Sequence, residues 1–202
     1  MRMPVNEQHE VHVSTAEVKV ATLGPEGTSS EEAARFFFLK AVGRPAAEGD
    51  VLLFSTYEEA KDAVLSDFAS HLVVATAYPE CHHFYMSGEL IPDHENHFPR
   101  DTPPYLLVSR SRRCMLPRAV RIATHPAPAE VIDQLLATMA DTFDWFKVVH
   151  STSTAEAARM VAKDEVEVAL TTDPARRRFG LVAISEESKT IPMDWLVFVK
   201  AA

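Results

Sequence analysis

The sequence predicts an α/β protein of two lobes with a ligand cleft between them. Three observations carry this expectation. Short continuous apolar runs at 18–23, 51–54 and 71–75 alternate with amphipathic helical stretches, as strands of a parallel-rich sheet covered on both faces do. The rhythm breaks between Ala77 and Pro104 and then resumes in a second series from Tyr105. A last apolar run at 195–199 returns the chain to the first series. The expected division is a flexible tail over 1–16, a first lobe from 17–103 plus 182–202, and a second lobe from 104–181.

The most informative stretch is 18–30. An apolar run enters Gly24-Pro25-Glu26-Gly27, and hydroxyl and acidic residues follow at once. This reads as strand, tight turn and helix start. Ser29 or Ser30 is placed to cap the helix, with Glu32 three residues beyond Ser29 as in a capping box. Ala33, Ala34, Phe36, Phe37 and Leu39 are expected to face inward. A helix start offers unpaired N–H groups and partial positive charge, so the turn can cradle a carboxylate or serve only as an ordinary strand-to-helix connection. It is not a phosphate-binding P-loop, because no lysine follows Gly27 in the required place.

The remaining elements follow in order. Residues 1–17 are polar and lack periodicity. A strand at 51–54 precedes a helix capped by Ser55 or Thr56 and running to about Ser66, with Ala60, Ala63 and Val64 apolar-side. A strand at 71–75 opens the irregular segment 77–104, rich in proline, histidine and tyrosine. Such long connections are often functional. Its histidines invite a metal reading. His82 and His83 are adjacent, and neighbouring side chains on a strand point oppositely. His94 and His97 sit between Pro92 and Pro99, which leaves little room for a helix. No metal is expected. In the second lobe, strands at 105–109, 120–124, 146–149 and 166–170 alternate with helices. One starts at Pro128 or Ala129 and runs to about Ala140, one is capped by Ser153 or Thr154, and one is opened by Asp173-Pro174.

Composition bounds the function. Of 202 residues, 47% are hydrophobic and 24% charged, as in an ordinary globular protein able to bury a real core. No apolar run spans a bilayer and no signal peptide is visible. Cys81 and Cys114 are too few and too unpatterned for a disulfide framework or a zinc site. A cytoplasmic protein is therefore expected. The formal net charge of −9 argues against non-specific nucleic-acid binding and requires any anionic ligand to be drawn by a local site.

Gly24-Pro25-Glu26-Gly27-Thr28-x-Ser30 resembles the opening signature of the prephenate dehydratases. Thr124-His125-Pro126 is similar to that family's Ser-His-Pro turn, and Ser151-Thr152-Ser153-Thr154-Ala155-Glu156 to its Ser-Thr-Ala helix start. Phe179-Gly180-Leu181 resembles the end of the helix closing its second lobe. The resemblance spans about 18–200 and implies the two-lobed prephenate dehydratase fold, like type 2 periplasmic binding proteins, closing on prephenate. It also implies a homodimer. No cofactor motif is visible and the implied chemistry needs none, so no cofactor and no membrane partner are expected. The chain stops at Ala202, before the regulatory ACT domain that many dehydratases append, so none is expected.

Two departures bear on the reaction. The family's Thr-Arg-Phe triplet supplies the proton donor for the departing ring hydroxyl, and here the matching place reads Met193-Asp194-Trp195. The family's Glu-Asn-Ser after the third strand is replaced by Thr76-Ala77-Tyr78. His83-Phe84-Tyr85-Met86, Asp101-Thr102-Pro103-x-Tyr105 and Ile191-Pro192-Met193-x-Trp195 instead resemble the prephenate decarboxylases of bacilysin-type antibiotic pathways. That resemblance implies loss of carbon dioxide with the ring hydroxyl retained, giving a dihydro-4-hydroxyphenylpyruvate. The missing donor at Met193 becomes a requirement, because protonating the hydroxyl leads to aromatisation.

Such a reaction needs an anchor for the pyruvyl carboxylate, a poorly solvated place for the ring carboxylate, and an acid over one ring face. Thr28, Ser29 and Ser30, and Ser151, Thr152, Ser153 and Thr154, are the expected anchors at helix starts, each equally able to serve only as a cap. Arg176 can add a cation or lie on a solvated helix face. Met193 is expected against the substrate. His83 and Tyr85 are the first choices for the acid, with Tyr78 and Asp194 behind them. The rival functions are a monofunctional dehydratase giving phenylpyruvate and a non-catalytic binder of an aromatic keto acid.

Overall fold

A computed structural model describes residues 18–139 and 143–201. The expected tail and the expected end of the helix near Ala140 lie outside the described residues. The chain folds around two sheets. The first has strand order β2-β1-β3-β11-β4. Its strands are β1 Val20–Leu23, β2 Val51–Phe54, β3 His71–Ala75, β4 Leu90–Pro92 and β11 Asp194–Lys200, and a short β5 Phe98–Pro99 also pairs with β11. β1 runs parallel to β2 and β3, whereas β11 is antiparallel to its neighbours. The second sheet has order β10-β6-β9-β7-β8, from β6 Tyr105–Ser109, β7 Ala119–Thr124, β8 Trp145–His150, β9 Val168–Thr172 and β10 Val182–Ala183.

The chain crosses to the second sheet at 100–104. Val182 and Ala183 still pair with Ser109 and Val108 of that sheet, and the chain rejoins the first sheet with β11.

Both faces of the first sheet are covered. α1 (Ser29–Val42) lies on one, where Val20, Phe37, Phe38, Phe98 and Trp195 form a core. α2 (Tyr57–Leu65) lies on the other with Ala21, Val64, Leu72 and Phe198. Successive strand residues such as Val20 and Ala21 enter opposite cores because side chains alternate along a strand. In the second sheet, α4 (Val131–Leu136) covers one face, and α5 (Thr154–Ala162) with α6 (Asp173–Arg178) covers the other.

The inward stripe of α1 is Ala33, Ala34, Phe37 and Phe38, whereas Leu39 is exposed. The helix starts at Ser29 with Thr28 as cap, one or two residues earlier than expected. Complete burial of Phe37 and Phe38 contributes on the order of 1.5–3 kcal/mol per side chain. The irregular segment holds more structure than its sequence suggested. α3 (Cys81–Met86) places Phe84 in the core, and the proline-bounded His94–Asn96 stretch makes one 3-10 turn. No helix among the described residues is long and apolar enough to cross a membrane.

Candidate functional site

A cavity of about 410 Å³ opens between the two lobes. It is built by four segments that each leave a strand. β1 ends at the Gly24–Pro25 turn, which delivers Thr28, Ser29 and Ser30 to one wall. β3 ends at Ala75 and delivers Ala77 and Tyr78. In the second lobe, β7 ends at Thr124 and delivers His125 and Pro126, and β8 ends at His150 and delivers Thr152, Ser153 and Thr154. Ligands of open α/β sheets bind beyond the carboxyl ends of the strands, and the cavity obeys that rule.

Gly27 sets the first wall. Its φ is +87°, and a Cβ there would stand 3.1 Å from the backbone of Ala175 on α6. Thr172 donates its hydroxyl hydrogen to the Gly27 carbonyl at 2.6 Å. Glu26 and Arg178 form an ion pair beside it. Thr28 caps α1 by accepting from the Glu31 N–H, and the Glu31 carboxylate accepts the Gly27 N–H at 2.6 Å. The cap is therefore Thr28 and not Ser29 or Ser30, and Glu31 takes the acidic place expected for Glu32. The hydroxyls of Ser29 and Ser30 are left to pair with two tyrosines. Ser29 is 3.0 Å from the Tyr105 hydroxyl across the cleft, and Ser30 is 3.0 Å from that of Tyr57. Tyr57 also accepts the Ala75 N–H at 3.3 Å. Burial raises the pKa of both tyrosines, so they stay neutral.

The opposite wall is the start of α5. Ser153 caps it by accepting the Glu156 N–H at 2.9 Å. Glu156 turns to Arg159, at 2.6 Å, and leaves this helix end without a carboxylate of its own. Beside it, His125 Nδ1 accepts the Ala127 N–H at 3.2 Å. Burial lowers the His125 pKa, with His150 adding to the effect. The floor carries Met193 and Trp195, and the Trp195 Nε1–H donates to the Arg100 carbonyl at 2.9 Å. Tyr78 donates to Glu58 Oε1 at 2.7 Å.

Among the described residues, no side chain lining this cavity is a lysine, arginine, aspartate or glutamate. A larger groove, about 540 Å³, follows the 100–104 crossing and is walled by Glu32, Arg100, Asp101, Asp173 and Arg177. Within it Arg177 pairs with Asp173 at 2.7 Å, and Arg100 lies over the Phe36 ring at 4.4 Å.

The cavity brings together Thr28, Ser29, Ser30, Tyr78, Thr152, Ser153, Thr154 and Met193. Ser151 is not in its lining; its hydroxyl donates to the Ser153 carbonyl at 2.8 Å. Asp194 alternates with Met193 and Trp195 and lies exposed on the other side of the strand. Arg176 pairs with Asp173 at 2.7 Å and donates to the Leu181 carbonyl at 3.2 Å. His83 and Tyr85 sit on α3 outside the cavity, His83 exposed near Glu80 and Tyr85 edge-on to Phe198 at 5.0 Å. Glu80, His82 and His83 bring ligand atoms within 4.8 Å of one another on that exposed helix. Tyr57 was not singled out by the sequence, and Thr102, Tyr105 and Trp195 entered only through the motifs that carry the resemblance, not as site residues. Tyr57 was open to detection, since it directly follows a helix cap at the carboxyl end of a sheet.

Comparison with known proteins agrees with this architecture. No family model matches the chain. It is similar to the prephenate decarboxylase of Bacillus subtilis (strain 168), 36% identical over 187 residues that cover 91% of this chain and 87% of that protein. Among solved structures it is similar to prephenate dehydratase from Arthrobacter aurescens in complex with L-Phe, with a TM-score of 0.69 and 19% identity. That match covers 92% of this chain and 61% of the dehydratase chain. A periplasmic substrate-binding protein of an ABC transporter from Coxiella burnetii has a TM-score of 0.52 at 17% identity, with 91% and 84% covered. At these identities the two structures show the fold alone: two α/β lobes.

Proposed function

The chain belongs to the prephenate decarboxylases, and from that premise we propose how its cleft carries out the reaction. The enzyme is a carboxy-lyase that removes carbon dioxide from prephenate and retains the ring hydroxyl, leaving a non-aromatic dihydro-4-hydroxyphenylpyruvate. One observation carries the mechanism: the cavity is walled by hydroxyls, aromatic rings and apolar groups, with no lysine, arginine or carboxylate side chain among the described residues. A cation at the ring carboxylate would stabilise the ground state more than the neutral carbon dioxide being formed. A desolvated neutral wall favours the product side.

The pyruvyl carboxylate is placed at the start of α5, among Thr152, Ser153 and Thr154. The start of α1 is the weaker choice, because Glu31 already accepts the Gly27 N–H there. The ring then lies between Tyr57, Tyr78 and Trp195, with Ser29 and Ser30 as neutral donors. Met193 faces the ring where the dehydratase pattern carries its threonine. A thioether has no proton to give, so the hydroxyl is not helped to leave. A cytoplasmic homodimer feeding an antibiotic-type biosynthetic pathway belongs to the same proposal and rests on the resemblance.

Purified protein given fresh prephenate near neutral pH tests the reading by mass spectrometry and proton NMR against a no-enzyme control. The expected product has lost carbon dioxide only and shows olefinic ring protons. Phenylpyruvate above the control would restore dehydratase chemistry, and unchanged prephenate that still stabilises the protein would mark a binding module.

A further inference from the structure

Decarboxylation that keeps the ring hydroxyl consumes one proton per carbon dioxide released, so the cleft needs a proton source at the ring. The argument here rests on the prephenate reading above. Four ionisable side chains line the cavity: Tyr57, Tyr78, Tyr105 and His125. Tyr57 and Tyr105 are buried, and their hydroxyls are engaged with Ser30 and Ser29, each at 3.0 Å. His125 Nδ1 accepts the Ala127 N–H. An imidazolium would turn that acceptor into a donor facing a donor. The ring is thereby held neutral, and a neutral imidazole is a weaker acid than a phenol.

Tyr78 differs from the other three. Among the described residues it is the one lining group whose ionisable atom is hydrogen-bonded to a titratable side chain, Glu58, at 2.7 Å. Glu58 is exposed in the first turn of α2. Tyr78 thus lines the cavity while its hydroxyl is bonded to a carboxyl group in contact with solvent. Its ring is held by Tyr57, with centroids 4.8 Å apart, and by Phe84 at 6.1 Å. Thr76, two residues earlier, contacts the Met193 sulfur at 3.7 Å, so the Tyr78 turn and Met193 form one wall.

We propose that Tyr78 is the acid that protonates the ring and that Glu58 is the positioning residue that returns its proton from solvent. The bond between the quaternary ring carbon and its carboxyl carbon breaks, and its electron pair becomes a new ring double bond. The Tyr78 O–H turns from Glu58 toward the ring, and the displaced π pair of the neighbouring double bond takes its proton at the far carbon, next to the carbon that keeps the hydroxyl. Carbon dioxide leaves, and the phenolate regains a proton from water by way of Glu58. Burial and the Glu58 carboxylate both raise the Tyr78 pKa, which keeps the phenol loaded at neutral pH.

The test is turnover of prephenate in deuterated water, with NMR assignment of deuterium at the new ring methylene. Wild type is expected to label one of the two diastereotopic positions. Tyr78→Phe should lose about 10²–10⁴-fold in kcat while keeping the thermal shift caused by prephenate, and its residual product should carry label on both faces. Glu58→Gln should lower kcat with KM little changed and leave the label on one face; this variant decides the matter if Tyr78→Phe does not fold. Wild-type rate and one-face label in Tyr78→Phe, or unchanged kcat in Glu58→Gln, would overturn the assignment. So would scrambling in His125→Gln together with one-face label in Tyr78→Phe, because the donor would then lie on the second lobe. Wild type that forms no dihydro product would instead sink the prephenate reading on which this inference rests.

Discussion

Gly27 is constrained from two directions. Its left-handed φ of +87° favours glycine, and the Ala175 backbone stands where a side chain would begin. Gly27→Ala is expected to destabilise the fold by about 1–3 kcal/mol and to raise KM, because the turn carries Thr28 to Ser30. Urea unfolding monitored by circular dichroism checks the first part; an unchanged midpoint would mean that α6 yields freely. The sequence made this turn conspicuous through its two glycines and proline. It did not disclose that Ser29 and Ser30 meet Tyr105 and Tyr57, because those pairs join residues 76 and 27 positions apart. Local pattern carries no information at such separations. Tyr105 read as the first residue of a strand and the last of a family motif, and neither disclosed that its hydroxyl reaches Ser29 across the cleft.

Helix ends decide where charge can rest in this cleft. α1 and α5 both begin at the cavity, but their first turns are not equivalent. Glu31 folds back to the Gly27 N–H at 2.6 Å, whereas Glu156 is drawn to Arg159 at 2.6 Å. A substrate carboxylate therefore meets a partly neutralised end at α1 and a bare one at α5. Ser153→Ala removes the α5 cap and should cost about 1 kcal/mol of stability. It should raise KM for prephenate more than Thr28→Ala does, a comparison that steady-state kinetics makes directly. The reverse order would move the pyruvyl carboxylate to the first lobe. The elements themselves were largely legible, since buried apolar strands and capped helices are local patterns. The segment from 77 to 104 was not. α3 is only six residues long, too short for a helical stripe, and β4 and β5 have strand character only through pairing with the distant β11. Of the acids expected in that segment, His83 and Tyr85 lie on α3 outside the cavity, whereas Tyr78, at its start, lines it.

At the scale of the whole molecule, ionisation sets an acid limit in two stages. Burial lowers the folded-state pKa of His71, which contacts Phe37 with ring centroids 5.1 Å apart, and that of His125. A folded pKa below the unfolded one means that the unfolded chain takes up the proton first. The contribution is present above the unfolded value of about 6.5 and fades as pH falls through the lower folded value. Four carboxylates act the same way at lower pH. Arg44, Arg118, Arg159 and Arg121 hold Asp50, Asp144, Glu156 and Glu167, respectively, below the ordinary carboxylate range by hydrogen bonding. Their contribution is present above about pH 4 and is lost as pH falls through their depressed values. The two stages differ in physical origin, and salt separates them. Desolvation of a buried imidazole is insensitive to ionic strength, whereas ion pairs near the surface are screened. Melting temperatures measured from pH 8 to 3 should therefore decline first below about pH 6.5 to the same extent in low and high salt. The later decline, near and below pH 4, should be shallower in 1 M salt. A flat profile down to pH 5 would remove the histidine stage, and a salt-independent acid limb would mean that the arginine pairs contribute nothing measurable.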